Sequence, residues 1–228
     1  MRIGGLQAQS GLDYPGYLSA VVFTVGCNFR CPYCHNPELV DETATEQPVE
    51  SVLDFLRERQ GFLEAVSVTG GEPTMHEDLP DFLRAVRDLG FRVKLDSNGT
   101  NPAMLRDIIE AGLVDYLAMD IKAPLSRYEA TVARPVLEGA LKDSVALIMG
   151  SGVDYEFRTT VIKCLLPMAD FYEMGEDIRG AKRYYLQKFV PVKLLNPGFR
   201  RKTTYSDQEF AEIQMIMNTY VDVCEIRS

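Results

Sequence analysis

Residues 20–36 read AVVFTVGCNFRCPYCHN, an apolar, β-branched run followed by a loop that contains three cysteines. The run has the length of a strand, and Gly26 comes directly before a C-x3-C-x2-C spacing formed by Cys27, Cys31 and Cys34. Soft thiolates bind iron-sulfur clusters, zinc or copper(I), and a [4Fe-4S] cluster has four irons to be ligated. Three cysteines therefore predict a cluster with one iron left open, and an open position is typical of a reactive metal site.

Two other interpretations of this loop stay open on the residues alone. In a structural zinc site His35 would be the fourth ligand, although the adjacent Cys34 and His35 converge poorly on one ion. Alternatively, the three cysteines would be ordinary core residues, which need neither this spacing nor a flanking glycine and proline. The two remaining cysteines, Cys164 and Cys224, are expected to lie in the core.

Composition limits the class of protein. The 228 residues are 46% hydrophobic, enough for a sizeable core, and no linker or repeat divides them, so one domain over 1–228 is expected. A formal net charge of -9 gives no attraction to nucleic acid or anionic lipid. No apolar run approaches bilayer length, the N-terminus does not resemble a secretory signal, and clustered cysteines suit a reducing compartment. We therefore expect a cytoplasmic protein.

Strand and helix patterns alternate along the rest of the chain. Amphipathic stripes start at Val49 and Leu79, Gly90 should end the second helix, and Ser206 with Glu209 forms a capping box. The strand ends lie 25 to 44 residues apart, which leaves room for a crossover helix and predicts parallel neighbours. Six such units predict an α/β fold with a partial (β/α)6 barrel, while an open doubly wound sheet stays an alternative. The predicted strands are 20–25, 65–69, 91–96, 115–121, 155–162 and 186–192.

The strand ends carry the candidate binding residues, because ligands of such folds gather at the carboxyl ends of parallel strands. The second strand ends in Gly70, Gly71, Glu72 and Pro73, where the two glycines let a ligand approach the backbone or simply form a turn. The third strand is followed by Ser97-Asn98-Gly99, which is also a plausible turn.

Charged residues follow or lie within the later strands. Strand alternation puts Asp120 and Lys122 on one face, where they bind a cofactor or pair with each other. Arg158 is costly to bury without an anionic partner, which favours a ligand contact. The only basic run, residues 199–202, is either a solvated loop or a docking patch.

The C-x3-C-x2-C spacing, with an aromatic residue before the third cysteine, resembles the radical S-adenosylmethionine enzymes. The resemblance implies that Cys27, Cys31 and Cys34 hold one [4Fe-4S] cluster, and that S-adenosylmethionine is cleaved reductively to a 5'-deoxyadenosyl radical. It places Tyr33 against the adenine, and it implies cofactor contacts for the residues His35, Gly70, Gly71, Glu72, Pro73, Ser97, Asn98, Asp120, Lys122 and Arg158.

Within that family, residues 11–40 with LDYPG and GCNFRCPYCHNPELV resemble anaerobic ribonucleoside-triphosphate reductase activating proteins. The implied reaction removes a hydrogen from a glycine of the reductase, with a flavodoxin or ferredoxin as electron donor. Pyruvate formate-lyase activases typically carry a later histidine near the adenosine, which this chain lacks after His76, so Gln187 or Lys188 is expected there. The alternatives are an activase of another glycyl-radical enzyme, a radical enzyme acting on a small molecule, and a zinc-stabilised binding module.

Overall fold

The computed structural model describes residues 1–227, which are built around one eight-stranded sheet with the strands in sequential order. Strand β1 is antiparallel to β2, and the strands β2 to β8 are parallel. Sequential order is that of a barrel, whereas a doubly wound sheet reverses its order, so the doubly wound alternative is wrong. The strands are β1 Ile3–Ser10, β2 Ser19–Thr24, β3 Ala65–Gly70, β4 Arg92–Ser97, β5 Tyr116–Asp120, β6 Asp154–Val161, β7 Arg183–Lys188 and β8 Val223–Arg227.

The six predicted strands correspond to β2 through β7, and two further strands flank them. The prediction of 186–192 is displaced, because the strand covers Arg183–Lys188 and the apolar residues Val190 and Val192 are exposed beyond its end. Pro191 lies between them and has no N–H for a strand ladder. The two strands that were not predicted, β1 and β8, form the edges of the sheet and leave the barrel incomplete.

Helices connect the parallel strands, and their ends follow the sequence signals. Both amphipathic stripes form helices whose apolar residues are buried, apart from Val49 at the start of the first, which is half-buried. Gly90 adopts a φ of 89° just beyond the second of them, and the capping box of Ser206 and Glu209 is present. The helices are α1 Pro37–Val40, α2 Val49–Glu58, α3 Leu79–Asp88, α4 Pro102–Glu110, α5 Tyr128–Val132, α6 Glu138–Gly150, α7 Asp170–Asp177 and α8 Asp207–Met217.

The two faces of the sheet differ in polarity. In β4, Val93 and Leu95 belong to the main hydrophobic core, while Lys94 and Asp96 alternate with them and lie on the opposite, inner face. In β6, Tyr155 and Phe157 likewise belong to the core while Glu156 and Arg158 alternate with them, so the inner face is polar at β4 and β6. Of the remaining cysteines, Cys224 is buried, but Cys164 is exposed in the segment after β6, so the prediction of a core position for Cys164 is wrong.

The end of the barrel at the amino-terminal ends of the parallel strands is closed by the β1–β2 connection. Tyr14 is 3% exposed there and its ring packs against Tyr116 at 5.8 Å, while Ser67 Oγ donates to the carbonyl of Asp13 at 3.2 Å. The binding residues must therefore be reached from the opposite end. None of the helices in residues 1–227 is long and apolar enough to cross a membrane.

Candidate active site

A cavity of about 390 Å³ lies at the carboxyl ends of the parallel strands, and its walls contain nearly all the predicted site residues. This volume is within the range of ~300 to 1,000 Å³ that is usual for small-molecule sites. Pro73 is the exception, since it is buried in the short 3-10 turn Pro73–Met75 and not on the cavity wall. The predicted residues on the wall are Cys27, Cys31, Tyr33, Cys34, His35, Gly70, Gly71, Glu72, Ser97, Asn98, Asp120, Lys122 and Arg158.

The cysteine loop follows β2 and alternates between the cavity and the protein surface. Phe29, Cys31 and Tyr33 line the cavity, whereas Arg30 and Pro32 line a separate surface groove. The loop is held by Arg30 N–H, which donates to the carbonyl of Val132 at 2.9 Å. His35 is exposed and stacks on Phe189 with 6.3 Å between ring centroids. A single stretch of backbone therefore separates the cavity from the surface groove at the cysteines.

The two glycines after β3 are required by contact with the cysteine loop. The N–H of Gly71 donates to the carbonyl of Thr24 at 2.9 Å, and the N–H of Glu72 donates to the carbonyl of Gly26 at 2.8 Å. A Cβ on Gly71 would lie 1.8 Å from the Gly26 oxygen, and a Cβ on Gly70 would lie 2.4 Å from the Thr24 nitrogen. Because these glycines have no Cβ, the loop after β3 packs directly against the end of β2 and the start of the cysteine loop. This contact fixes the position of the cysteine loop relative to the sheet.

Glu72 joins the loops that follow β3 and β4. Its side chain is completely buried, and it accepts hydrogen bonds from Ser97 Oγ at 2.9 Å and from the N–H of Asn98 at 2.6 Å. Asn98 in turn donates through its side-chain amide to Asn28 Oδ1 at 2.8 Å. Burial raises the pKa of Glu72, while these donors oppose the rise. Glu72, Ser97 and Asn98 therefore connect the β3 and β4 loops to the cysteine loop.

Five charged side chains form a continuous network on the inner face of β4, β5 and β6. Arg158 donates to Asp96 at 2.9 Å and to Asp120 at 2.7 Å. Lys122 Nζ donates to Asp120 at 3.1 Å, and Lys94 Nζ donates to Asp96. Three cations thus meet two carboxylates, and with all five ionised the network carries one net positive charge beside the cavity.

The network controls the ionisation of its members. Burial disfavours the charged form of Asp120, but Arg158 and Lys122 outweigh that effect and hold the pKa of Asp120 below its usual value. Asp96 is held low in the same way by Arg158 and Lys94. Both carboxylates are therefore ionised at neutral pH, and the pairing of Asp120 with Lys122 that the sequence left open is present.

Sequence reasoning missed several residues of the cavity. Asp96 carried a detectable signal together with Lys94, which is not on the cavity wall, because two charges two residues apart in a strand share one face. Asp13 carried no sequence signal, because no local sequence pattern predicts that the β1–β2 connection lies inside the barrel. Of the two residues suggested near the adenosine, Gln187 lines the cavity, whereas Lys188 is not on its wall and pairs with Asp207 at 2.7 Å. The other residues on the cavity wall that were not predicted are Phe23, Phe29, Asn36, Val40, Thr69 and Thr160.

The donor set fits an iron-sulfur cluster. Three free cysteines share one cavity, and burial raises the pKa of Cys27 to about 12, so a metal would have to displace the proton of this thiol. In residues 1–227 no three His, Cys, Asp or Glu side chains are grouped to hold a single metal ion. A cluster needs no such convergence, because each thiolate binds a different iron.

Comparison with known proteins agrees with this geometry. Residues 21–170 match the sequence model of the Radical SAM superfamily, where SAM is S-adenosylmethionine, and the chain belongs to that family. A [4Fe-4S] cluster and S-adenosylmethionine are implied by this membership. A Methanocaldococcus jannaschii protein, provisionally named as a glycyl-radical enzyme activating enzyme, is 30% identical over 99% of this chain and 95% of its own length.

Two solved structures share the fold at low identity. Streptococcus suis SuiB bound to S-adenosylmethionine superimposes with a TM-score of 0.67 at 14% identity, covering 91% of this chain and 50% of SuiB. A domain of pyruvate-formate lyase-activating enzyme from Bacteroides vulgatus gives a TM-score of 0.58 at 15% identity, covering 72% of this chain and 99% of that domain. The partial barrel is thus confirmed as the fold of radical SAM enzymes.

Proposed function

We propose that this chain activates a glycyl-radical enzyme, and that its substrate is anaerobic ribonucleoside-triphosphate reductase. The observation that carries the proposal is the shared cavity, in which the cysteine loop, the glycine-rich loop after β3 and the charged network meet. The similarity to one provisionally named activating enzyme along 99% of the chain supports the reaction class, and the LDYPG and GCNFRCPYCHNPELV segments support the particular reductase.

In this proposal Cys27, Cys31 and Cys34 would hold one [4Fe-4S] cluster, and the cavity beside them would hold S-adenosylmethionine. Together the two supply a 5'-deoxyadenosyl radical that takes a hydrogen atom from the target glycine. A flavodoxin or ferredoxin provides the electron, and the need to keep the cluster reduced favours the cytoplasm.

The protein side chains bind and position the cofactor. Lys122 and Arg158 present positive charge to the carboxylate of S-adenosylmethionine, and Asp120 orients both of them through the hydrogen bonds described above. Tyr33 offers its ring to the adenine. Buried Glu72, Ser97 and Asn98 hydrogen-bond the surrounding loops to one another, which fixes the shape of the cavity wall.

The test is a glycyl-radical assay without oxygen. Reconstituted protein, S-adenosylmethionine, dithionite and anaerobic ribonucleotide reductase should give a glycyl signal by electron paramagnetic resonance. Cys31→Ala should abolish it, whereas Cys164→Ala should retain it, because Cys164 is exposed and lies outside the cavity.

The possible results separate the alternatives. A signal with pyruvate formate-lyase alone would assign a different activase, and cleavage of S-adenosylmethionine without a glycyl signal from any glycyl-radical enzyme tested would favour a small-molecule substrate. Protein that stays colourless after anaerobic reconstitution with iron and sulfide would contradict the cluster and favour the zinc module.

A further inference from the structure

The cysteine loop has a second exposed side, which faces a groove outside the cavity. The groove has a volume of about 410 Å³ and is lined by Arg30, Pro32, Ala130, Ala133, Arg134, Leu195, Asn196 and Pro197. None of these residues lines the active-site cavity. Arg30 and Pro32 flank Cys31 in the chain, and consecutive Cα atoms are ~3.8 Å apart. The floor of the groove is therefore separated from the cysteine site by a single layer of backbone.

The wall opposite α5 is the segment that follows β7, and it is bound directly to the cysteine loop. The N–H of Leu195 donates to the carbonyl of Cys34 at 3.0 Å, and the N–H of Asn196 donates to the carbonyl of Pro32 at 2.9 Å. Lys193 also pairs with Glu38 at 2.7 Å. A partner bound to this segment would therefore contact a stretch of chain that is hydrogen-bonded to the backbone of the cysteine loop.

The groove and its rim are basic in an acidic protein. The whole chain has a net charge of -9, yet residues 189–205 contain four basic residues and no acidic one. Arg30 shares its charge with Asp41 at 2.6 Å. In the described residues 1–227, no carboxylate forms an ion pair with Arg134, Arg200, Arg201 or Lys202, and all four are exposed. Positions i and i+3 share a side of a 3-10 helix, so Arg200 lies on the same side as Pro197.

We propose that this groove, bounded by α5, the cysteine loop and the β7 segment, is the docking site for a small acidic electron-transfer protein. The inference rests on the proposed function, which requires an external one-electron donor. Rim charges steer transient partners and set their association rate, and electron-transfer complexes bury small interfaces, so a basic rim around a small apolar floor fits this partner.

The groove suits an electron donor better than the glycyl-radical enzyme. A target glycine has to enter the cavity itself, and the groove and cavity have no wall residue in common. Electron transfer needs no such entry, because it requires only that the donor lie close to the cluster on the other side of the cysteine loop. In the transfer the donor is oxidised by one electron and the cluster is reduced by one, with no bond made or broken and no proton moved.

The test compares two double charge reversals of equal size in the reconstituted protein. Arg134→Glu with Arg200→Glu changes the rim, while Arg106→Glu with Lys142→Glu changes exposed positions on α4 and α6 by the same net charge. Binding of a flavodoxin and of a two-cluster ferredoxin is measured in separate arms by surface plasmon resonance at low and high ionic strength. At low ionic strength the rim pair should weaken the better-binding donor roughly tenfold and the control pair less than about twofold.

Hydrogen exchange provides a second readout. Donor binding should protect residues 30–33, 130–134 and 195–202 in the wild type and not in the rim variant. Equal weakening by both pairs, no weakening by either, or loss of binding to the glycyl-radical enzyme with donor binding intact would each overturn the docking site.

A chemical reductant separates this inference from the proposed function. Both double variants should be reduced by dithionite, seen as bleaching of the cluster absorbance, and should then cleave S-adenosylmethionine at the wild-type rate. If wild-type protein reduced by dithionite fails to cleave S-adenosylmethionine, the proposed function is wrong. The binding comparison would still test whether the groove binds the donor.

Discussion

Asp120 shows how single charges are kept ionised inside the barrel. It lies at the end of β5 and accepts hydrogen bonds from two cations, Arg158 at 2.7 Å and Lys122 at 3.1 Å. A buried carboxylate that has a single cationic partner gains little free energy relative to the two solvated ions. A carboxylate that accepts hydrogen bonds from two cations replaces more of the hydration energy that it loses on burial. The same carboxylate therefore contributes to stability and fixes the direction in which Lys122 and Arg158 point.

Replacing this carboxylate should destabilise the protein in a pH-dependent manner. We expect Asp120→Asn to lower the free energy of unfolding of the apoprotein by about 2 kcal/mol at pH 7, because Lys122 and one side of Arg158 lose their anion. The pKa of Asp120 is lower in the folded protein than the usual 3.8, so the carboxylate stabilises the fold above that pH and its contribution is lost as the pH falls below it. The deficit should shrink by up to about 1.4 kcal/mol per pH unit below 3.8.

Urea unfolding followed by circular dichroism from pH 7 to pH 3 measures this deficit. Asp107→Asn, an exposed substitution on α4, serves as the control and should leave stability nearly unchanged at pH 7. A deficit for Asp120→Asn that grows as the solution becomes more acid would contradict the assigned pairing.

The position of the cysteine loop is set by its neighbouring elements. Backbone hydrogen bonds reach the loop from the glycine segment after β3, from the end of α5 and from the segment after β7. Each is a contact between backbones, so these places require correct loop lengths rather than particular side chains, except where a Cβ would not fit. The two glycines after β3 are the clearest case, because neither position has room for a Cβ.

A methyl group at Gly71 should therefore displace the cysteine loop. We expect Gly71→Ala to cost about 3 kcal/mol of stability and to lower the iron bound after anaerobic reconstitution, because the new Cβ overlaps the Gly26 carbonyl. The matched control is Gly139→Ala, a helical position in α6 with nothing within 4 Å of the added Cβ, which should be neutral or stabilising by up to about 1 kcal/mol. Normal iron content and stability in Gly71→Ala would show that the loop adapts without loss.

On the scale of the whole molecule, the sequence predicted the parallel core of the barrel better than its edges. The central strands are short apolar runs separated by helices, two of which carry clear amphipathic stripes, and these signals are local. Strand β1 contains Gly4 and Gly5 and polar residues, and β8 spans only Val223–Arg227, so neither has a local pattern that distinguishes it from a loop. Their pairing depends on partners distant in sequence.

The same division between local and distant signals applies to the site. The cysteines, the glycine-rich turn and Asp120 with Lys122 were found because each group is contiguous in sequence. The link from Arg158 to Asp96 spans 62 residues and the link from Glu72 to Asn98 spans 26, so both required the fold. The alternation of side chains along the cysteine loop also required the structure, which shows that Arg30 and Pro32 face away from Cys31.

The two ends of the barrel have different roles. The candidate site lies at the carboxyl ends of the strands, as catalytic residues do in closed (β/α)8 barrels, and the opposite end contributes to stability. The end opposite the cavity is filled by Tyr14, whose ring lies 5.2 Å from Tyr17 and 5.8 Å from Tyr116. We expect Tyr14→Ala to lower the free energy of unfolding by about 3 kcal/mol, because it leaves a cavity among these rings. Tyr172→Ala, at a residue 52% exposed on α7, should cost less than about 0.5 kcal/mol.

The decisive comparison is between stability and cofactor binding in the same variant. Because Tyr14 lies at the far end of the barrel, Tyr14→Ala should accelerate hydrogen exchange at the starts of β3 and β5 while the reconstituted protein binds iron and S-adenosylmethionine as the wild type does. Urea unfolding, exchange mass spectrometry and calorimetric titration measure the three quantities. Loss of S-adenosylmethionine binding at unchanged stability would place Tyr14 in the site and refute the division between the two ends.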